Sequence, residues 1–291
     1  MKRCIGCNEI FAAESWRCPA CAAEPLVLDG FLAFAPDAAA DRGGFGPDSH
    51  AMSDRMQKGS FWFRARNKLI IDLVGRYFSG AQRVIEIGCG TGYALLALRA
   101  ALPGSRLCGS EMHAGALALA RRRVADSVEL VQMDARSIPF EAEFDLICAF
   151  DVLEHIDDDE GVLAQMFRAV RPGGGILLSV PQHPFMWSHI DVRANHKRRY
   201  RSNELGRKCD RAGFEIVRST SFVTTLLPFM LMQRRGPGQR KDYELAREMR
   251  LHPRLDRLAE AALDFERACI AGGLSFPVGG SRFVAARRPI T

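Results

Sequence analysis

The stretch Arg83-Val-Ile-Glu-Ile-Gly88-Cys-Gly90-Thr-Gly92-Tyr93 constrains the fold of this chain more than any other. Val84 to Ile87 is a short β-branched run, and Gly88, Gly90 and Gly92 follow at every second position. An Ala/Leu-rich stretch, Ala94 to Ala101, comes next and predicts a helix. Strand, glycine turn and helix in that order open a βαβ nucleotide-binding unit. Glycine tolerates positive φ and lets a ligand press against backbone, while the first turn of a helix offers free N–H groups. The spacing is G-x-G-x-G rather than the G-x-G-x-x-G of dinucleotide folds, and an acid, Glu86, sits inside the strand end.

Downstream, apolar runs alternate with helical patterns, which predicts an α/β fold with a parallel sheet and helices on both faces. Arg106 to Glu111 forms the expected second strand, with Glu111 placed 19 residues beyond Gly92. Such folds hold ribose hydroxyls with a carboxylate at that point. Val128 to Ala135, Phe144 to Phe150, Ile176 to Val180, Phe214 to Arg218 and Ser281 to Arg287 supply the remaining strands. Phe61 to about Phe78 and Leu205 to Gly213 are expected helices. The aromatics of the first are expected to pack on the main domain, while Arg64 and Arg66 can reach a carboxylate or phosphate near the cofactor mouth.

Glu86-Ile-Gly88-Cys-Gly90-Thr-Gly92 resembles the first motif of class I S-adenosylmethionine-dependent methyltransferases, and Arg171-Pro-Gly-Gly before an apolar strand resembles the same family. The resemblance covers about residues 61–218 and 277–289. It implies a Rossmann-like, seven-stranded sheet whose last strand runs antiparallel between strands five and six. It also implies S-adenosylmethionine as cofactor, bordered by Glu86, Gly88, Gly90, Gly92, Met112, Ala135 and Phe150. Glu111 would hold the ribose, Asp134 would accept the adenine amine and Met133 would pack on the ring. Phe150-Asp-Val-Leu stands where amino-methylating nucleic-acid enzymes carry Asn/Asp-Pro-Pro-Tyr/Phe, a departure from base N-methylation.

Residues 1–35 form a small module of their own in this reading. Cys4-Ile-Gly-Cys7 and Cys18-Pro-Ala-Cys21 are two C-x-x-C knuckles, and together they offer four thiolates to one structural zinc. So short a segment buries too little to fold alone, whereas zinc contributes roughly 10–16 kcal/mol in finger peptides. Four unrelated thiols, or a redox pair, are the alternatives. The segment from Cys18 to Phe31 resembles zinc ribbons placed before bacterial methyltransferase domains. Residues 36–60, rich in Gly, Ala, Asp and Pro, are expected to be a linker or a lid over the cofactor, and 61–291 the methyltransferase domain. The other five cysteines are scattered through core-like segments and no signal peptide is read ahead of Cys4, so a reducing cytoplasm is expected.

Methyl transfer requires an aligned acceptor and, for a hydroxyl, a path for its proton. Candidates belong beyond the C-terminal ends of strands four and five. Asp151, Glu154 and His155 stand at i, i+3 and i+4, so one helical turn presents them together, with His155 as base or acceptor-orienting residue. Asp-x-x-Glu-His also resembles the ligand set of some metal-assisted O-methyltransferases, which implies a site for Mg²⁺, Mn²⁺ or Zn²⁺ at Asp151, Glu154 and His155, with another histidine from the next loop to complete it; the alternative is a structural turn. The loop after strand five gathers Trp187, His189, His196, Arg199 and Tyr200. It is expected to bind the acceptor, with His189, His196 and Tyr200 as acid/base groups and Arg199 as an anion anchor.

Between strands six and seven, about 219–276 is an insertion. Its uncharged stretch, Ser219 to Gln233 followed by Arg234-Arg235, is too short to cross a bilayer; a cap helix, a dimer face and a peripheral membrane contact all fit it. An amphipathic helix from Tyr243 to about Ala271 completes it. A small-molecule or lipid- or saccharide-linked acceptor, methylated at oxygen, is the expected partner. The net charge of +6 keeps RNA open as an alternative. Oligomeric state does not follow from the sequence.

Overall fold

The computed structural model describes residues 1–40, 57, 59–235 and 252–290. Most of the expected linker, the 236–242 segment and the start of the expected helix at Tyr243 lie outside the described residues.

The N-terminal segment contributes β1 (Lys2–Arg3), β2 (Ile10–Phe11), β3 (Leu26–Leu28), β4 (Phe31–Ala33) and α1 (Pro36–Ala40). The following elements are α2 (Phe61–Tyr77), β5 (Arg83–Ile87), α3 (Tyr93–Ala101), β6 (Arg106–Glu111), α4 (Ala114–Val124), β7 (Glu129–Gln132) and β8 (Phe144–Phe150). Next come α5 (Asp159–Ala169), β9 (Val170–Pro181), α6 (His189–Arg193), α7 (Glu204–Arg211), β10 (Glu215–Phe222), α8 (Leu227–Arg235), α9 (Pro253–Ala271) and β11 (Ser281–Arg287).

One sheet runs in the order β10-β11-β9-β8-β5-β6-β7-β4-β3. The pairs from β9 through β8, β5, β6 and β7 to β4 are parallel. β11 lies antiparallel between β9 and β10, at the bounds expected for it. Among the described residues the sheet thus has nine strands rather than seven. The two extra strands come from residues 26–33, because Leu32 and Ala33 pair with Val131 and Gln132 and extend the edge at β7.

Strand alternation sends side chains to two cores. Val84, Leu146 and Leu177 meet α2, α3 and α4 on one face, while Ile85, Ile147 and Ile176 meet α5 and α7 on the other. The aromatics of α2 pack as expected: Phe63 is buried and Phe61 and Trp62 lie against the first core. Arg64 does not reach the cofactor side, because Asp256 and Glu260 of α9 hold it, and Lys68 and Arg267 add further α2–α9 ion pairs. The uncharged stretch 219–233 is split. Its first four residues finish β10, with Thr220, Ser221 and Phe222 buried, and α8 takes most of the rest. It is therefore not a single interfacial helix. Among the described residues no helix is long and apolar enough to cross a membrane.

Candidate functional site

A cavity of about 600 Å³ opens at the C-terminal ends of β5, β6 and β7. Ligands of open α/β sheets occupy this edge because loops and helix starts leave backbone donors there. The glycine turn forms its floor. Gly88 has φ +68, and a Cβ there would come 2.5 Å from Val152 Cγ2, so only glycine lets the turn pass under the loop after β8. Gly90 has φ +52, and a Cβ there would meet nothing within 4 Å. Both glycines line the cavity. Gly92 does not; it starts α3 and packs on Ala120.

Glu111 ends β6 and lines the same cavity. Its Oε2 accepts the Gly90 N–H at 3.0 Å, and its Oε1 accepts those of Met112 and His113 at 2.8 and 3.2 Å. Three amides thus fix the carboxylate beside the glycine turn, as the spacing from Gly92 suggested. Met112, Met133, Asp134 and Ala135 continue the wall. Asp134 is already engaged: Arg136 Nε and Nη2 bond it at 2.9 and 2.6 Å. Burial pushes its carboxyl up, and the Arg136 hydrogen bonds outweigh this and hold it below the usual value.

Glu86 and Phe150 do not line the cavity. Phe150 packs in the core. Glu86 lies beneath the turn, buried, with Oε2 lacking a hydrogen-bond partner among the described residues. Burial raises its carboxyl from 4.5 to about 8, against the pull of nearby Arg66. The sign follows from linkage. The folded chain holds this proton more tightly than the unfolded chain, so the associated stability is complete below pH 4.5 and lost as pH rises through about 8. Glu86→Gln should therefore unfold at higher urea than the parent at pH 9, by on the order of 3–5 kcal/mol at most, with a smaller gap at pH 5. A gap that does not change with pH would contradict this burial.

The loop after β8 forms the opposite wall. Asp151 lines the cavity with φ +57, and its Oδ2 accepts Arg66 Nη1 at 2.7 Å. The short 3₁₀ turn Leu153–His155 follows. His155 lines the cavity, and burial first, then the neighbouring His196, lowers its imidazole to about 4. Asp151, Glu154 and His155 therefore do not share one face as an α-turn predicts, because Asp151 precedes the turn and is held by Arg66.

Among the loop residues expected to carry chemistry, only some approach the site. His196 Nδ1 bonds Asp191 Oδ1 at 2.9 Å, and its ring stands edge-on to His155 with centroids 4.8 Å apart. His189 opens α6 and does not line the cavity. Tyr200 is fully buried, and its hydroxyl donates to Asp159 Oδ2 at 2.5 Å. Burial, with Asp159 beside it, drives the phenol far above its usual range, so it is no proton carrier. Arg199 is not an anion anchor: it is buried, and its Nε bonds Asp191 Oδ1 at 2.7 Å. Ala38, Gln57, Asn195 and Lys197 also line the cavity. The sequence marked none of them; only their place in the linker and in the loop after β9 hinted at it.

At the N-terminus the four thiols converge. Cys4 and Cys21 Sγ lie 3.5 Å apart, Cys7 and Cys18 Sγ 3.7 Å, and all four sit within 4.8 Å of one another. A tetrahedron with Zn–S bonds of about 2.3 Å has edges of about 3.8 Å, so the set fits zinc. The amides of Gly6 and Cys7 point at Cys4 Sγ at 3.3 and 3.4 Å, which favours its thiolate.

A family model described as a methyltransferase domain matches residues 55–219, more than half of the chain. Over 160 residues the chain is 29% identical to a Mycolicibacterium smegmatis protein named a probable S-adenosylmethionine-dependent methyltransferase, covering 54% of this chain and 60% of that one. It is 30% identical over 168 residues to the ubiquinone biosynthesis O-methyltransferase of Aromatoleum aromaticum, covering 51% of this chain and 71% of that protein. In fold it resembles phosphoethanolamine N-methyltransferase 2 of Haemonchus contortus, with a TM-score of 0.57 at 18% identity over 86% of this chain and 59% of that one. The chain belongs to the S-adenosylmethionine-dependent methyltransferase domain family, in its class I, Rossmann-like form.

Proposed function

We propose that this chain transfers the methyl group of S-adenosylmethionine to an oxygen of a small or lipid-linked acceptor. The observation that carries the reading is the Glu111 carboxylate, fixed by the Gly90 amide on the wall of a cavity that also holds His155. When bound, the cofactor supplies an electrophilic methyl on a sulfonium, displaced in line by the acceptor. The chain supports this in two ways. Gly90 leaves room against the backbone, and Glu111 offers lone pairs to a ribose diol.

The His155 imidazole, neutral at physiological pH, presents a lone pair on the opposite wall, where an acceptor hydroxyl has a proton to lose. Oxygen is favoured because several relatives are named O-methyltransferases, for ubiquinone biosynthesis and for malonyl-acyl-carrier protein. We assign residues 1–35 to a zinc-stabilised unit that joins the transferase unit, 61–291, through the edge strands at 26–33. A tritiated-methyl screen against lipid, metabolite and RNA fractions tests the reading. Label in a lipid or metabolite fraction, stable to mild acid as an ether is, supports it; label in RNA alone removes it.

Glu111→Ala should weaken binding of S-adenosylmethionine by about 10- to 100-fold, because hydrogen bonds to a carboxylate contribute about 1.5–3 kcal/mol. Calorimetric titration checks this. An unchanged affinity would place the ribose elsewhere.

A further inference from the structure

The turn after β8 carries a fully buried acid, Glu154, whose side chain accepts no hydrogen bond at either oxygen among the described residues. A carboxylate is left this way only at high cost unless a cation answers it. Two histidines stand around it. One carboxylate oxygen of Glu154 and one ring nitrogen each of His155 and His196 all lie within 4.8 Å of one another.

The second ring fixes which nitrogen is offered. His196 Nδ1 is bonded to Asp191, and Asp191 is in turn held by Arg199 Nε at 2.7 Å and by the Ser188 amide at 2.8 Å. His196 Nε2 is therefore the atom turned toward Glu154, 3.9 Å from its Oε1. A carboxylate behind the far nitrogen is the support metal-bound imidazoles characteristically have.

We propose that Glu154, His155 and His196 bind a divalent transition cation of the Zn²⁺ or Mn²⁺ class in the wall of the cofactor cavity. Two imidazoles and one carboxylate are mixed nitrogen and oxygen donors, which suit these ions better than Mg²⁺, whose ligands are oxygens. Asp151 is not a ligand, because Arg66 occupies it. Three protein ligands leave coordination positions open, and His155 lines the cavity, so an acceptor oxygen there is within reach of one.

The site stands on the geometry of the chain; its use rests on the methyl-transfer reading. Bound to the cation, the acceptor hydroxyl loses its proton to water. The resulting oxygen forms a bond to the methyl carbon as the methyl–sulfur bond breaks, leaving an ether and a neutral thioether. With His155 bound to the metal, its ring does not act as the base and the proton leaves to water.

Mn²⁺ is the probe, since thiolate ligands such as the N-terminal cysteines are a poor match for it. Electron paramagnetic resonance titration of the full chain should count one bound Mn²⁺. Glu154→Gln and His196→Gln should each weaken it by about 10- to 100-fold or more, with S-adenosylmethionine affinity, read by calorimetry, as the control for folding. Mn²⁺ should raise the melting temperature of the parent and not that of Glu154→Gln. No bound Mn²⁺, or binding equal in parent and variants, would overturn the site. If Mn²⁺ binds in this way but S-adenosylmethionine does not, the site stands and the methyl-transfer reading falls.

Discussion

Gly90→Arg should abolish S-adenosylmethionine binding while leaving the chain folded. The cause is local. Gly90 carries φ +52, and its missing Cβ points into open cavity rather than into protein. An arginine there places a long cation in the space of about 600 Å³ where a sulfonium would lie, so both volume and charge oppose the ligand. Affinity should fall by more than about 100-fold, or about 2.7 kcal/mol. The left-handed backbone costs a non-glycine residue about 1–2 kcal/mol, so the melting temperature should drop by only about 2–8 °C. Calorimetry and a melting curve on the same sample separate the two effects. Gly88→Ala should behave differently, because its Cβ collides with Val152 and burdens the fold itself.

Loss of the proposed zinc should have the second largest effect, and it should reach the cofactor cavity. Cys18→Ser should take the metal content from one zinc per chain to none, removing a contribution that is about 10–16 kcal/mol in finger peptides. The N-terminal segment then loses what fixes it. Its consequences travel through Gln132, whose amide bonds Ala35 N and O at 3.1 and 2.8 Å and Met112 O at 3.0 Å. Met112 and Ala38 both line the cavity. Amides of β4 should therefore exchange faster, and S-adenosylmethionine affinity should fall by about tenfold, one lost set of hydrogen bonds. Zinc retained by the variant, or zinc lost with unchanged exchange at β4, would contradict this coupling.

The parts of the site that the sequence announced are those set by neighbours in the chain. Val84 to Ile87 with the glycines after it is a complete local signal, and Glu111 follows from a fixed spacing across one βαβ unit. Ser281 to Arg287 was legible because seven residues between Gly280 and a charged tail leave few alternatives. The parts that were hidden depend on partners far along the chain. Arg199 and Tyr200 look like exposed, reactive groups beside Trp187, yet Asp191 and Asp159 take them out of play. The same holds for Arg64, claimed by a helix nearly 200 residues later. No local pattern says that residues 26–33 extend the sheet, because edge pairing at β7 is decided by the backbone rather than by side chains. Glu154 shows both: the sequence offered it with Asp151, His155 and a further histidine from the next loop, and the fold brings His196 to it while Arg66 holds Asp151.

The most direct test is a crystal of the full chain soaked with S-adenosylhomocysteine. Density for the nucleoside against Gly88 and Gly90, with both ribose hydroxyls on the Glu111 carboxylate, is the predicted result. A nucleoside bound elsewhere, or Glu111 turned away from the sugar, would contradict it.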